Sequence, residues 1–120
     1  MFIFDKDIMA KNIAPGTLRK IFLGSKNMMI AKISLATGTL GELHQHQHEQ
    51  MSYILSGSFN YRVGAIVKVV SSGDVIYVPS NEEHQCECLL DGEILDIFVP
   101  MREDFINYLA KYLLYYITDK

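Results

Sequence analysis

The strongest constraint on this chain is a succession of short β-prone runs, most of them closed by glycine or another turn-former. Met28 to Leu35 is apolar-rich with β-branched members and ends at Thr37-Gly38. A second run approaches His44, and a third, Met51 to Leu55, stops at Ser56-Gly57. Phe59 to Val63 alternates aromatic or apolar with polar side chains, and Gly64-Ala65 then reads as a tight hairpin turn with glycine at positive φ. Ile66 to Val70 returns, Ser71-Ser72-Gly73-Asp74 turns, and Val75 to Val78 runs up to Pro79. Gln85 to Leu90 and Glu93 to Val99 follow, with a turn expected between them at Asp91-Gly92. Strands this short and regularly spaced predict an all-β antiparallel sandwich or barrel, with a mixed α+β domain as the alternative.

Several runs are apolar on both faces, Ile94-Leu95-Asp96-Ile97-Phe98-Val99 among them. In 120 residues that are 49% apolar, this predicts a second sheet on one side and a partner subunit on the other, hence a homodimer. The length allows one domain, residues 1–120. Its barrel with the N-terminal segment is expected over 1–101 and a C-terminal α-helix over 102–118. After Pro100 the apolar period becomes helical through Phe105, Tyr108 or Leu109, Tyr112 and Tyr116, and Glu103 and Asp104 supply the anions a first turn favours. The helix should run from about Glu103 to Ile117 and pack on the barrel or in a dimer contact.

Composition removes several function classes. The net charge is −3 with scattered Lys and Arg, which argues against a nucleic-acid partner. No run approaches the ~18 consecutive apolar residues of a membrane span, and the start, MFIFDKDIMAKN, does not read as a signal peptide. Cys86 and Cys88 are too close in sequence to brace a fold. These features predict a cytoplasmic protein that neither spans nor binds a membrane.

The four histidines are His44, His46, His48 and His84, and three of them fall in Leu43-His44-Gln45-His46-Gln47-His48-Glu49-Gln50. On a strand, residues two apart share a face, so His44 and His46 aim into one space. His48 and Gln50 share that parity unless a turn near Gln47 breaks it, and Glu49 has the opposite parity. A second segment, Gly73-x5-Pro79-x4-His84, can deliver one more imidazole from a Pro-containing loop. Neutral imidazoles suit Zn, Ni, Cu, Fe or Co. The alternative is a polar surface loop, since short His-rich tracts occur there.

Gly41, His44-x-His46-x-x-x-Gln50 and Gly57 resemble the first motif of the cupins, and Gly73-x5-Pro79-x4-His84 resembles the second. The resemblance implies a small β-barrel of two antiparallel sheets, often dimeric. Position 50 is Gln where many cupins have Glu. The longer run from Leu43 to Gly57, with Ile94-Leu95-Asp96-x-Phe98-x-Pro100-x-Arg102-Glu103-Asp104-Phe105, is similar to the KdgF group of cupins, in which Gln at this position is expected. That group implies conversion of 4,5-unsaturated uronate monosaccharides from pectin or alginate to the linear ketonised form.

The resemblance then implies a site. His44, His46, Gln50 and His84 would hold one divalent metal per subunit (Ni, Zn, Mn, Co or Fe). Asp96 would be the general acid or base, Phe98 would line the pocket, and Arg102 would pair with the carboxylate of the sugar acid. On the residues alone, Asp96 could instead pair with Arg102, and Arg102 could sit in solvent. His48 is expected to be exposed. Cys86 and Cys88 share the parity of His84 and could line the same cavity, but they read as inert small hydrophobes. The competing functions are a non-catalytic sugar- or effector-binding cupin, a metal-dependent dioxygenase and a storage barrel.

Overall fold

Two strands are far longer than the turn-forming residues lead one to expect. In the computed structural model, which describes residues 1–105, β4 (Glu49–Val63) and β7 (His84–Val99) run 15 and 16 residues. Around them lie β1 (Lys11–Ala14), β2 (Thr17–Leu23), β3 (Met29–Leu35), β5 (Ile66–Ser71) and β6 (Val75–Val78). All pairings are antiparallel, in the order β1-β2-β3-β7-β4-β5, with β6 also on β4. The all-β antiparallel expectation holds.

The first half of β4 pairs with β6 on one side and the second half of β7 on the other. The second half of β4 pairs with β5 and the first half of β7. The two long strands therefore belong to two half-sheets at once. The register between them shifts repeatedly from Ile54 to Phe59, where the strands bend. Gly57 sits there at φ +84, and a Cβ on it would lie 2.6 Å from the Leu90 and Asp91 carbonyl oxygens. A Cβ on Gly92 would fall onto the Ser56 carbonyl. Ser56-Gly57 and Asp91-Gly92 are thus not the turns expected from sequence but the close approach of two backbones inside continuous strands. Gly92→Ala should lose roughly 1–3 kcal/mol of stability through this overpacking. Urea unfolding checks it, and a loss of a few tenths would restore the turn reading.

The hairpin at Gly64-Ala65 and the turn at Gly73 are as expected, with Gly64 and Gly73 at φ +58 and +92. Two strands, β1 and β2, precede the first one read from sequence. The run approaching His44 contributes only isolated bridges at Leu40 and His44. There is no α-helix among the described residues. Where the helix is expected to begin, Glu103–Phe105 form a 3₁₀ turn, and the rest of the expected span, 106–118, lies outside the described residues.

Inward-facing residues alternate along β4, where Gln50, Ser52 and Ile54 are buried and Met51, Tyr53 and Leu55 are exposed. One core cluster gathers Ile21, Leu23, Met29, Ala31, Phe98 and Met101; the other gathers Ile54, Phe59, Tyr61, Val78, Cys88 and Ile94. A cavity of about 800 Å³ is lined by residues from both clusters, Phe98 from the first and Tyr61 and Ile94 from the second.

Candidate metal centre and catalytic pocket

Backbone pairing sets the imidazoles. His44 and His84 face each other across an isolated bridge, each N–H donating to the other's carbonyl, at 3.1 and 2.9 Å. Such a pair stands side by side, and the ring centroids are 4.1 Å apart. His46 lies two residues on in an extended segment that belongs to no named strand. The loop after β6 holds that segment: Asn81 N–H donates to the His46 carbonyl at 2.8 Å and Ser80 Oγ to the Gln47 carbonyl at 2.6 Å. The His46 ring comes within 4.8 Å of the His84 ring. The chain bends at Gln47 and His48 before β4 begins.

Each of these three rings bonds a backbone carbonyl through Nδ1: Glu42 at 2.8 Å, His48 at 2.9 Å and Glu82 at 2.9 Å respectively. A carbonyl has no proton to give, so each Nδ1 donates and the lone pair of the neutral ring is left on Nε2. One ring nitrogen from each histidine lies within 4.8 Å of the others. His84 Nε2 is buried with no hydrogen-bond partner. His46 Nε2 lies 3.0 Å from Gln50 Oε1, so two lone-pair atoms face each other. A cation between them removes both anomalies. Three imidazoles and an amide oxygen fit a divalent transition metal. Burial pushes the His46 and His84 pKa values down, His84 to about 4, which keeps both in the neutral ligand form.

Asp96 stands directly opposite Ser52 in the β4–β7 register and accepts from Ser52 Oγ at 2.6 Å. Burial raises its pKa to about 6, against the opposing pull of its hydrogen bonds and of Arg102. Asp96 and Phe98 share the inward face, as parity predicts, and both line the cavity with His44, Gln50, His84 and Arg102. The Phe98 ring meets the His46 ring at 5.7 Å. Arg102 is 7% exposed and forms a fork with Asp104, Nε to Oδ1 at 2.9 Å and Nη2 to Oδ2 at 2.6 Å. Its guanidinium lies 4.1 Å from the Phe105 ring and 5.1 Å from Phe98. Arg102 is therefore not solvated, and its fork goes to Asp104 rather than to Asp96.

His48 differs from expectation: it is buried at 6% exposure, its ring 5.6 Å from that of His46, with neither ring nitrogen hydrogen-bonded. The chain bends at Gln47 and His48, as expected, but the bend does not expose the ring. Glu49 points outward and accepts from Tyr77 OH, as its parity requires. Cys86 lines the cavity, and burial pushes its thiol up to about 12, so it supplies no thiolate. Cys88 lies in the core and donates to the Leu90 carbonyl at 3.1 Å. Sequence reasoning missed Ser52, which shares the parity of Gln50 along β4, Tyr61, which has the opposite parity and is buried beyond the register shifts between Ile54 and Phe59, and Arg19, a cavity-lining residue of β2 whose guanidinium lies 3.9 Å from the Phe105 ring.

Residues 31–98 match the cupin domain, a stretch that holds all three clustered histidines and Gln50. Over 107 residues the chain is 30% identical to the pectin degradation protein KdgF of Dickeya dadantii (strain 3937), covering 88% of this chain and 97% of that one. The chain belongs to the cupins, in the KdgF group. Two solved structures resemble this cupin closely. One is an RmlC-like cupin from Shewanella frigidimarina NCIMB 400, with a TM-score of 0.83 and 34% identity over 87% of this chain and 94% of that one. The other is KdgF from Halomonas sp., with a TM-score of 0.83 and 27% identity over 88% and 97% of the two chains.

The buried groups of this cupin give opposite pH signatures in the metal-free protein. Asp96 is raised from 3.8 to about 6, so folding takes up a proton in that window and stability falls as pH rises through it. His84 is lowered from 6.5 to about 4, so folding releases a proton and stability rises with pH over nearly the same window. Asp96→Asn removes only the falling contribution. Its Tm should climb more steeply than wild type between pH 4 and 6. Parallel Tm curves would contradict the burial of an ionisable carboxyl here.

Proposed function

We propose that this cupin is a metal-dependent enzyme converting 4,5-unsaturated uronate monosaccharides, from pectin or alginate, to the linear ketonised form. One observation carries the reading: a carboxyl group whose pKa burial raises to about 6 lines the same cavity as His44, His84 and a buried arginine. That combination offers proton transfer near neutrality beside a cation site and an anion site. The relationship to a pectin degradation protein supports the substrate class. A cavity of about 800 Å³ is ample for one sugar acid.

His44, His46, His84 and Gln50 would hold the metal without adding negative charge. Once bound, the metal would act as a Lewis acid on the oxygens of the substrate. Asp104 takes one edge of the Arg102 fork and fixes it against Phe98 and Phe105. The other edge takes the uronate carboxylate through paired hydrogen bonds. Phe98 packs against the sugar beside the histidines. The reaction is an isomerisation. The anomeric hydroxyl gives up its proton, the C1–O5 bond breaks to leave an aldehyde and a C5 enol, and C4 gains a proton as the enol becomes a ketone. Asp96 carries protons between these positions.

The test is loss of the conjugated double bond, followed by ultraviolet absorbance, on fresh unsaturated galacturonate and unsaturated mannuronate-derived monomer. Metal-loaded protein should exceed the spontaneous rate, and a chelator should abolish the gain. No acceleration with nickel, zinc, manganese, cobalt or iron would instead favour a non-catalytic sugar-binding cupin.

The same reading includes a homodimer in the cytoplasm. On the outer face of β4 and β6, Met51 pairs with Tyr77 and Tyr53 with Val75, all exposed, and Leu55 and Val99 extend the apolar surface. A second copy would cover it. Light scattering should give a dimer mass that Tyr53→Lys reduces to a monomer. A wild-type monomer at micromolar concentration would remove this part. Both cysteines are free thiols, as suits a reducing compartment, and no helix among the described residues is long and apolar enough to cross a membrane.

A further inference from the structure

We infer that Ser52 and Tyr61 are positioning residues that turn the Gln50 amide so that its oxygen, and not its nitrogen, faces the three imidazoles. This rests on the proposed metal site and extends it to two hydroxyls outside the ligand set. The two ends of an amide are nearly identical in shape, so hydrogen bonds decide which end lies where. Here the polarity starts at Asp96. A carboxylate oxygen only accepts, so Ser52 Oγ commits its single proton to Asp96 Oδ1, 2.6 Å away. Only lone pairs then remain on Ser52 Oγ for Gln50, which must present N–H. Gln50 Nε2 donates to Ser52 Oγ at 2.9 Å and to Tyr61 OH at 3.3 Å. Tyr61 OH accepts from Gln50 and has its own proton for Ser52 Oγ, also 3.3 Å away.

Gln50, Ser52 and Tyr61 are all buried, so bulk water does not replace these bonds. With both N–H groups engaged, Oε1 is the end that reaches His46 Nε2 at 3.0 Å. A reversed amide would aim N–H groups at the cation and set Oε1 against the lone pairs of Ser52. A carboxylate at position 50 would need no such orientation, because its two oxygens are equivalent. The hydroxyl pair therefore matters specifically because residue 50 is an amide.

The test is a double-mutant cycle on cobalt(II) affinity, measured by competition with a chelator and by the visible spectrum of the bound ion. With Gln50 present, Ser52→Ala combined with Tyr61→Phe should weaken cobalt binding about 10–100-fold, the usual effect of losing the groups that orient a ligand. In the Gln50→Glu background the same pair should change affinity by no more than about twofold, the scatter of uncoupled sites. Equal losses in both backgrounds would mean the hydroxyls only support the fold and would overturn the inference. So would unchanged affinity with Gln50 present. If wild type binds no cobalt, the metal reading itself fails and the inference with it. Tyr61→Phe alone leaves no cavity and should show the same background dependence in smaller measure, with metal-free Tm and circular dichroism reporting the fold.

Discussion

Asp96→Asn is expected to lose about 10²–10⁴-fold in turnover, the usual contribution of a positioned acid–base group, while binding metal as wild type does. The substitution keeps shape, and the new amide oxygen can still accept from Ser52 Oγ, so the hydrogen bonds leading to Gln50 survive. What disappears is a group able to take and return a proton near neutrality. Two measurements separate the readings: the rate of double-bond loss and the rise in Tm on adding metal. A low rate with an intact metal-induced rise supports Asp96 as the proton carrier. A wild-type rate removes that role and favours a binding protein, for which no proton transfer is needed. Loss of the metal-induced rise would make Asp96 a support of the metal site instead.

His84→Ala is expected to cost roughly 10²–10³ in metal affinity and to abolish the catalysed rate. The figure follows if four ligands share a binding free energy of about 10–16 kcal/mol, near 3 kcal/mol each. His84 is the sharpest choice because its Nε2 is buried without a partner, so the metal-free protein bears the desolvation of that atom with no return. Metal should therefore raise the wild-type Tm with the logarithm of its excess over Kd. The variant should show almost no rise at the same concentration. An unchanged metal response would mean that this imidazole does not ligate and that the cluster is a packed set of neutral rings.

Much of the candidate site was legible from the spacing of a few residues. His44 and His46 share parity in one segment, Gln50 reaches His46 from the start of β4 beyond the bend, and His84 is paired to His44 across a bridge. Asp96 and Phe98 point inward because residues two apart on a strand share a face. The role of the glycines was not legible. Gly57 and Gly92 look the same in sequence as Gly64 and Gly73, since glycine serves a turn and a close backbone approach equally well. Only the approach of β4 to β7, strands distant in sequence, tells the two uses apart. His48 is buried even though the chain does bend at Gln47 and His48, so the bend alone did not decide its exposure.

By itself the sequence determined the class of fold, the set of possible ligands and the lone carboxyl in an apolar strand. These depend on local alternation and on residue chemistry, both of which a linear chain displays. The tertiary structure alone decided which groups are dry, which fork Arg102 forms, and which way the Gln50 amide faces. The Arg102 fork is local, to Asp104 two residues on, but the amide orientation depends on contacts no local pattern displays: Ser52 against Asp96 across the β4–β7 register, and Tyr61 against Gln50 from beyond the register shifts within β4. Burial and hydrogen-bond polarity are properties of that assembled interior.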